Sequence, residues 1–463
     1  MHVVGPLRVA VVGSGPAGFY AAGQLLGSGF RVEVDVIERL PTPWGLVRLG
    51  VAPDHPEIKA VSRVFEKIAR ASGFRFFGNV EVGRDVSPAE LALLYDAVIF
   101  AVGAQSDRRL GIPGEELPGS WPATAFVAWY NGHPDFQELD FDLSGERVVV
   151  VGNGNVAVDV ARMLSLSREE LVRTDATEAA IEAIAGAGVR EIVILGRRGP
   201  VQAAFTSPEL RELGELGEAE VIVDPADLEL DPVSEVSLAE DRSTARRNYE
   251  LLRGYSSRRD GAKRKRLVLR FCTSPVALLG SARVEAVEVV RNRLVADARG
   301  ELRPVATALR ETIPCGLVLR SVGYRGVSID GIPFDPERGV IANLGGRVLD
   351  GGGQTVPGLY CAGWIKRGPS GVIGTNKKDA AETVEALLAD ADAGLLRSEG
   401  GDLDALLGQR GVSVVNYAGW EAIDAREREL GALLGRPRVK FARWQELLEA
   451  AGRPAGAGLD SPP

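Results

Sequence analysis

The stretch "RVAVVGSGPAGFYAAGQLL", residues 8–26, decides the fold of this chain. An apolar run typical of a buried strand ends at Gly13, and an Ala-rich run typical of a helix begins at Pro16. Gly13, Gly15 and Gly18 form the pattern G-x-G-x-x-G. The first glycine allows a tight turn, the second lets a pyrophosphate approach the backbone, and the third lets the helix lie close to its strand. The stretch therefore predicts a nucleotide-binding βαβ unit.

The strand that follows supports this interpretation. "RVEVDVIE", residues 31–38, ends in Glu38, which lies 38 − 13 = 25 residues after Gly13. An acid about 20 residues beyond the glycine loop accepts hydrogen bonds from a ribose hydroxyl. By itself, such a site suits either FAD or NAD.

A second glycine loop lies in "RVVVVGNGNVAVDVARML", residues 147–164, where Ala157 takes the place of the third glycine. Its returning strand, "REIVILG" (190–196), is followed by Arg197 and Arg198 instead of an acid. Guanidinium groups are planar, multidentate donors that suit a 2′-phosphate better than a 2′-hydroxyl. The second site is therefore predicted to bind NADP, and the simplest cofactor pair for the chain is FAD and NADP.

The length of 463 residues is too great for one ordinary core and indicates two or three domains. "YDAVIFAVGAQ" (95–105) and "CGLVLRSVGYRG" (315–326) are similar strand–turn segments that we interpret as two crossings between domains. The predicted fold is α/β, with two Rossmann-like dinucleotide-binding domains and the NADP domain inserted into a split FAD domain. Residues 1–107 form the first part of the FAD domain, 108–322 the NADP domain, and 323–463 the second part of the FAD domain with C-terminal helices.

The segment 358–390 closes the predicted flavin site with a strand, a turn and a helix from near Gly371 to about Ala389. The N-terminus of a helix beside the flavin would stabilise negative charge on the reduced ring. Residues 419–435 and 441–452 have the apolar period of amphipathic helices. We expect them to cover the FAD domain, with a role in partner binding as the alternative.

Composition excludes several other kinds of site. Cys272, Cys315 and Cys361 are far apart and each lies in or beside an apolar run, which favours buried reduced thiols over a redox pair or a metal site. No metal is predicted, and with neither a Cys-x-x-Cys pair nor a cluster-binding run, electrons must pass to an external acceptor. The net charge of −9 argues against nucleic acid. With no basic–apolar leader and no apolar run long enough to span a bilayer, we expect a cytoplasmic location without membrane insertion.

Five long motifs identify a family. They are "LPTPWGLVRLGVAPDHP" (40–56), "AVGAQSDRRLGIPGE" (101–115), "GNGNVAVDVARML" (152–164), "GRRGPVQAAFTSPELREL" (196–213) and "AGWIKRGPSGVIGTNKKDA" (362–380). In these motifs the chain resembles the adrenodoxin reductase family, especially its bacterial NADPH–ferredoxin reductases. The resemblance runs to about residue 390 and resumes at "GRPRVK" (435–440).

The resemblance implies that FAD and NADP bind to two Rossmann-like domains and that electrons pass from NADPH to an iron–sulfur ferredoxin. In addition to the glycine loop, it implies flavin contacts at Ala17, Glu38, Leu46, Val82, Trp364, Gly371, Val372 and Ile373. It implies NADP contacts at Arg108, Asn153, Gly154, Asn155, Val156, Arg197, Arg198, Glu209 and Gly371.

The expected chemistry is transfer of a hydride from nicotinamide C4 of NADPH to flavin N5, followed by release of single electrons to the ferredoxin. The cofactors carry this chemistry, so no side-chain nucleophile is predicted. His55 is a catalytic candidate that could serve a proton or electron path, or simply position the backbone of its loop. The alternatives to this function are an NADPH diaphorase or quinone reductase, and an electron-transfer subunit of a larger complex.

A basic run offers a docking surface for an acidic ferredoxin. The alternative is an ordinary solvated helix and loop. Between residues 242 and 270 only Glu250 and Asp260 are acidic, and the cations are Arg242, Arg246, Arg247, Arg253, Arg258, Arg259, Lys263, Arg264, Lys265, Arg266 and Arg270.

Overall fold

A computed structural model describes residues 5–240, 244–258, 261 and 263–452 of the chain. The predicted strand–glycine–helix alternation is present from the first residues of this range. The elements before residue 108 are β1 (Leu7–Val12), α1 (Pro16–Leu26), β2 (Val32–Glu38), α2 (Leu46–Leu49), α3 (Pro56–Lys59), α4 (Ser62–Ala69), β3 (Phe74–Gly78), α5 (Pro88–Leu94), β4 (Ala97–Phe100) and β5 (Ser106–Asp107).

The middle of the chain is built around the second glycine loop and adds three short 3₁₀ helices, Pro134–Phe136, Pro200–Gln202 and Pro225–Leu228. Its strands and α-helices are β6 (Ser120–Pro122), α6 (Ala123–Tyr130), β7 (Arg147–Val151), α7 (Asn155–Ser165), α8 (Arg168–Leu171), α9 (Glu178–Ala185), β8 (Glu191–Leu195), α10 (Ser207–Leu213), β9 (Ala219–Val223), α11 (Pro232–Glu240), α12 (Thr244–Ser256), β10 (Lys265–Arg270), β11 (Thr273–Leu279), β12 (Ala286–Ala296), β13 (Leu302–Pro314) and β14 (Leu317–Arg320).

The last part of the chain returns to the first sheet and ends in helices. Its elements are β15 (Tyr324–Arg325), β16 (Phe334–Asp335), β17 (Val340–Ile341), β18 (Asn343–Leu344), β19 (Arg347–Leu349), β20 (Thr355–Cys361), α13 (Trp364–Arg367), α14 (Thr375–Asp392), α15 (Leu403–Gln409), α16 (Tyr417–Leu433) and α17 (Trp444–Ala450).

Two sheets confirm the predicted fold class. The first has seven strands in the order β18-β19-β20-β4-β1-β2-β3, and the second has six in the order β6-β14-β7-β8-β10-β9. In the first sheet β20, β4, β1, β2 and β3 run parallel. Every pairing of the second sheet is parallel. Each sheet therefore presents the carboxyl ends of its parallel strands along one edge, where nucleotides bind in doubly wound folds.

The sheets draw on separate parts of the chain. The first takes strands from both ends of the sequence, and the second takes only strands between residues 120 and 320. Between them, β5 and β15 form a short antiparallel pair in which Tyr324 lies opposite Asp107. This arrangement supports the predicted boundaries at 107/108 and 322/323, which we retain as a prediction. Below, the two units are called the FAD domain and the NADP domain.

The C-terminal helices pack against the FAD domain. Trp420 and Ile423 of α16 and Leu447 of α17 share a buried cluster with Phe19 and Phe65. One predicted boundary in this part of the chain is wrong: α14 begins at Thr375, not near Gly371. The preceding residues form a turn in which Gly371 has a φ of 80°, and a helix cannot include such a residue.

The three cysteines are free thiols. Burial raises the pKa of Cys315 and of Cys361 to about 12, and it also raises the pKa of Cys272. All three are therefore protonated at neutral pH, which makes them poor nucleophiles. Within the described residues, no helix combines the length and the apolar character needed to cross a membrane.

Candidate functional site

The first glycine loop leaves an open space at the start of α1. Gly13 has a φ of 104°, and a Cβ there would lie 2.6 Å from the carbonyl oxygen of Ala101. A Cβ at Gly18 would lie 2.0 Å from the carbonyl oxygen of Gly13. At Gly15, by contrast, a Cβ would meet no described atom within 4 Å. The outer glycines are thus required by the protein's own backbone, and the middle one keeps a helix N-terminus open to a pyrophosphate.

The second glycine loop repeats this geometry at α7. Gly152 has a φ of 122°, and a Cβ there would lie 2.0 Å from the carbonyl oxygen of Ser321. A Cβ at Gly154, like one at Gly15, would meet no described atom within 4 Å. Ala157, in the third position, is fully buried. Both loops therefore offer the cradle that a dinucleotide needs.

Glu38 is held against the first loop. One oxygen of its carboxylate accepts hydrogen bonds from the backbone N–H of Ser14 at 3.0 Å and from Ser14 Oγ at 2.7 Å. The other oxygen accepts from the N–H of Leu40 at 3.0 Å. Because a carboxylate has about four acceptor positions, capacity remains for a ribose hydroxyl. This arrangement fits FAD in the first site.

Other predicted flavin residues converge on the same loop. A Cβ at Gly45, directly before Leu46, would lie 2.9 Å from the Cα of Gly15. A Cβ at Gly363, directly before Trp364, would lie 2.6 Å from the Cβ of Ala17. The segments that begin α2 and α13 therefore border the first loop with almost no spare room.

The remaining predicted flavin residues lie in the segment before α14, at the start of α13 and in an isolated bridge between Val82 and Val86. Gly371 and Val372 are exposed, while Ile373 and Val82 are half-buried. Trp364 stacks obliquely on Tyr324, with ring centroids 5.1 Å apart. Sequence reasoning did not name Tyr324, although it lies in the crossing segment that the sequence pointed out. Direct contacts of these residues with a cofactor stay a prediction.

Arg197 and Arg198 follow β8 and are exposed. Their backbone is fixed, because Asn292 Nδ2 donates to the carbonyl oxygen of Arg197 at 2.8 Å and the N–H of Cys272 donates to that of Arg198 at 2.9 Å. Neither guanidinium forms an ion pair with any residue that the structure describes. The two cations are therefore held at the end of the strand and remain available to a phosphate.

Three further residues belong to the predicted NADP site. Asn153 Nδ2 is buried and has no hydrogen-bond partner among the described residues, so its loop carries an unused donor. Asn155 caps a neighbouring turn, accepting from the N–H of Thr206 at 2.8 Å. Arg108 is exposed beside the crossing strand, and its N–H donates to the carbonyl oxygen of Gly323 at 2.9 Å. The free donor and the exposed cation both fit an anionic nucleotide.

A buried charged cluster joins the two domains beside α7. Arg162 donates to both oxygens of Asp54, at 2.6 and 3.0 Å, to Asp159 at 2.8 Å and to Glu209 at 3.0 Å. His55 belongs to this cluster, with Nε2 2.8 Å from a Glu212 oxygen and Nδ1 3.4 Å from Arg162 Nη2. Sequence reasoning singled out His55 and Glu209 but missed the arginine that brings them together.

The cluster has more carboxylates than cations, and this imbalance shifts the pKa values of its carboxyl groups. Burial raises the pKa of Asp54, but hydrogen bonds and charge from Arg162 outweigh it and hold this pKa below its usual value. Burial and the charge of Asp159 raise the pKa of Glu209 to about 7. His55, Glu209 and Glu212 could geometrically hold a metal ion, yet the Arg162 guanidinium already lies 3.0 Å from Glu209 and 3.5 Å from Glu212. A second cation there would be repelled.

We expect Glu209 to make the stability of the fold depend on pH. Between its usual pKa of 4.5 and about 7, the folded protein keeps a proton that the unfolded chain has lost. The contribution of Glu209 to the free energy of unfolding therefore falls as pH rises through this window, by about 1–2 kcal/mol after solvent screening. When the free energy of unfolding by urea is measured at pH 5.5 and at pH 8, Glu209→Gln should not show this decrease. Glu209→Asp should still show it. Parallel pH profiles for the wild type and Glu209→Gln would contradict this assignment.

Comparison with known proteins agrees with this geometry. A family model described as pyridine nucleotide-disulphide oxidoreductase matches residues 7–197. NADPH-ferredoxin reductase FprA of Mycobacterium tuberculosis is 50% identical over 456 residues, which cover 96% of this chain and 98% of that protein. The mitochondrial NADPH:adrenodoxin oxidoreductase of Arabidopsis thaliana is 42% identical, over 96% of this chain and 95% of that protein.

Solved structures give the same result. The structure of Mycobacterium tuberculosis FprA in complex with NADPH matches this fold with a TM-score of 0.91 and 49% identity, over 96% of this chain and 99% of that one. The two glycine loops, the acid after the first and the arginines after the second thus lie in a fold shared along nearly the whole chain. The chain belongs to the adrenodoxin reductase family of NADPH–ferredoxin reductases.

Proposed function

We propose that this chain is an NADPH–ferredoxin reductase that binds FAD in its first nucleotide site and NADP in its second. The observation that carries the proposal is the contrast between the two sites: Glu38 follows the first glycine loop, and Arg197 and Arg198 follow the second. The first site is complementary to a ribose hydroxyl and the second to a phosphate. A chain with two such sites is built to bring NADPH and a flavin together.

The protein's part in the reaction is to bind, orient and shield. A bound flavin supplies the redox chemistry, since it can take up a hydride and give up electrons one at a time. The N-termini of α1 and α7, where Gly15 and Gly154 leave open space, would hold the two pyrophosphates. Arg197 and Arg198 would select the coenzyme, and Trp364, in ring contact with Tyr324, would lie beside a bound flavin.

The cluster around Arg162 holds the loop of Asp54 and His55 on the NADP domain. His55 is 5% exposed and has a partner at each ring nitrogen, which favours a role in positioning this loop. A direct catalytic role for His55 stays a prediction. We also keep the cytoplasmic location predicted from the sequence as part of this proposal.

For the electron acceptor we propose an acidic iron–sulfur ferredoxin that docks on α12. Asn248, Leu252 and Tyr255 turn inward from this helix, which leaves Arg246, Arg247 and Arg253 exposed on its outer side. This surface is narrower than the predicted run of 242–270. Arg242 and Arg259 lie outside the described residues, and other cations serve the protein itself: Lys263, Lys265, Arg266 and Arg270 bond to Leu216, Leu164, Glu191 and Glu311.

Reversing the charge on α12 should weaken ferredoxin docking selectively. In NADPH-driven reduction of cytochrome c through an added ferredoxin, Arg246→Glu with Arg247→Glu should raise the KM for ferredoxin about tenfold at low ionic strength. Direct reduction of a small dye should not change, because it needs no docking. The control is Arg168→Glu, an exposed arginine paired with Glu182 on another helix of the same domain.

Three outcomes would oppose the proposal. An equal loss in the ferredoxin and dye assays would reject docking at α12, because the substitution would then act on the flavin reaction. If ferredoxin gives the wild-type protein no stimulation while quinones or dyes are reduced fast, the chain is a diaphorase or quinone reductase. A requirement for a co-purifying partner would instead indicate a subunit of a larger complex.

A further inference from the structure

A segment near the C-terminus connects the two domains a second time. Residues 435–440, "GRPRVK", follow α16, and we call them the strap. Arg436 of the strap donates to Glu178 at 2.5 Å and to the carbonyl oxygen of Ala176 at 2.6 Å, both in the NADP domain. Arg438 turns the other way and pairs with Glu427 of α16 at 3.0 Å. The strap therefore has one side on each domain.

Lys440, the last residue of the strap, is buried in a polar cluster. Its side chain is 1% exposed. Its Nζ lies 3.2 Å from an oxygen of Asp175 and donates to Asn131 Oδ1 at 3.2 Å and to the carbonyl oxygen of Arg48 at 3.1 Å. Its Nζ thus has three oxygen partners, which is the full donor capacity of a protonated lysine. Burial lowers the pKa of Lys440 well below its usual value, and the charge of Asp175 opposes this shift.

This cluster draws on three separate parts of the chain. Asp175 and Asn131 belong to the NADP domain, and Arg48 to the first part of the FAD domain. Lys59, at the end of α3, adds a second ammonium 2.6 Å from Asp175. Asn131 is fully buried, and its Nδ2 donates to the carbonyl oxygen of Val51 at 3.1 Å. Most of these bonds cross the domain boundary, so a rotation of the NADP domain would break several of them together.

Breaking such a cluster has a high energetic cost. A buried ammonium or carboxylate that loses its partner is destabilised by several kcal/mol. The chain crosses between the domains at β5 and β15, which pair as a two-residue ladder. This ladder alone does not prevent the domains from rotating relative to each other. Hydride transfer needs its reacting atoms at about 3–3.5 Å, and a displacement of about 1 Å can slow the reaction about 100-fold.

We propose that Lys440 is a positioning residue for hydride transfer. Through Asp175, Asn131 and the backbone at Arg48, it fixes the angle between the NADP domain and the FAD domain, and so the distance between nicotinamide and flavin. This inference rests on the proposed function. It assigns to the strap a role in the rate of the reaction that is separate from cofactor affinity.

Lys440→Met is the test variant, because it keeps the aliphatic stem and removes the ammonium, while Lys59 still pairs with Asp175. Stopped-flow mixing at saturating NADPH should show flavin reduction slowed roughly 10- to 100-fold. The Kd for NADP⁺ should change less than threefold, and FAD content should not change. Lys440→Arg, which restores a cation, should recover part of the rate.

Hydrogen exchange supplies a readout that does not depend on activity. In Lys440→Met, the amides of the crossing ladder, Ser106–Asp107 and Tyr324–Arg325, should exchange faster than in the wild type, with or without NADP⁺. Arg75→Met is the matched control, because it removes a cation from a pair with the buried Asp35 within the FAD domain alone. It should lower stability and leave both the reduction rate and exchange at the crossing unchanged. If Lys440→Met does not fold, Arg436→Met tests the same strap from its other end.

Several results would overturn the proposal. One is a wild-type rate of flavin reduction in Lys440→Met, whether or not exchange at the crossing increases. Another is an equal loss of rate in Arg75→Met, which would point to general destabilisation. If the wild-type protein itself is not reduced by NADPH, the proposed function fails, and the exchange comparison still decides whether the strap holds the domains together.

Discussion

Replacing Arg197 and Arg198 together by glutamine should reduce the preference for NADPH over NADH by about 2–5 kcal/mol, which corresponds to about 30-fold to several-thousand-fold. The physical reason is the loss of two charge-assisted contacts to the 2′-phosphate, a group that NADH lacks. Both guanidiniums are exposed, and the backbone that carries them is fixed by Asn292 and Cys272. The substitution should therefore change the site without disturbing the strand.

The measurement is kcat/KM for each coenzyme with a small dye as acceptor. The value for NADPH should fall, and the value for NADH should stay the same or rise. FAD affinity should not change, because the proposed flavin site at Glu38 and the first loop is separate from these arginines. Arg246→Gln is a matched control, since it removes an exposed arginine of the same domain. A coenzyme ratio equal to that of the wild type would show that the two arginines do not select the coenzyme.

Gly15→Val should lower FAD affinity at least 100-fold, or about 3 kcal/mol, in a protein that still folds. A Cβ at Gly15 meets no described protein atom within 4 Å, so we expect the fold to accommodate the substitution. It would, however, fill the space through which a pyrophosphate reaches the N-terminus of α1. Titration of apoprotein with FAD, followed by flavin fluorescence, measures the loss, and thermal unfolding of the apoprotein checks the fold.

Gly154→Val is the reciprocal variant in the second loop, where an added Cβ also meets open space. It should retain FAD and lose NADPH binding. Gly13→Ala should behave differently from both, because its Cβ would lie 2.6 Å from a backbone oxygen at a φ of 104° and would disturb the fold itself. Normal FAD binding by Gly15→Val would mean that the first loop does not carry the pyrophosphate.

Much of the fold could be predicted from local patterns. Each glycine loop is a contiguous stretch whose spacing has a steric cause. In the structure, a Cβ at Gly13 or Gly152 would clash with a backbone carbonyl oxygen, so glycine is required there. Arg197 and Arg198 were predictable for the same reason, since the end of a strand in a glycine-loop unit is a defined place in space. The start of α14 was not, because the turn at Gly371 depends on a φ that the sequence does not report.

The side-chain contacts between the two domains could not be predicted, because the contacting residues are far apart in the sequence. Arg162 lies 108 residues from Asp54 and 47 residues from Glu209, and no local pattern marks them as partners. Lys440 is more remote still, at 309 residues from Asn131. For the basic run of 242–270, the local pattern predicted too wide a docking surface. The run is contiguous in sequence, but several of its cations bond to other parts of the protein.

We propose that this chain passes electrons from NADPH through FAD to an external ferredoxin. Anaerobic stopped-flow absorbance on the FAD-loaded protein tests it most directly, with NADPH and NADH mixed in separate runs and oxidised iron–sulfur ferredoxin added afterwards. NADPH should bleach the absorption band of oxidised flavin much faster than NADH at equal concentration, and ferredoxin should restore the band as it becomes reduced. A protein that binds no FAD, or a flavin band that NADPH does not bleach, would contradict the account.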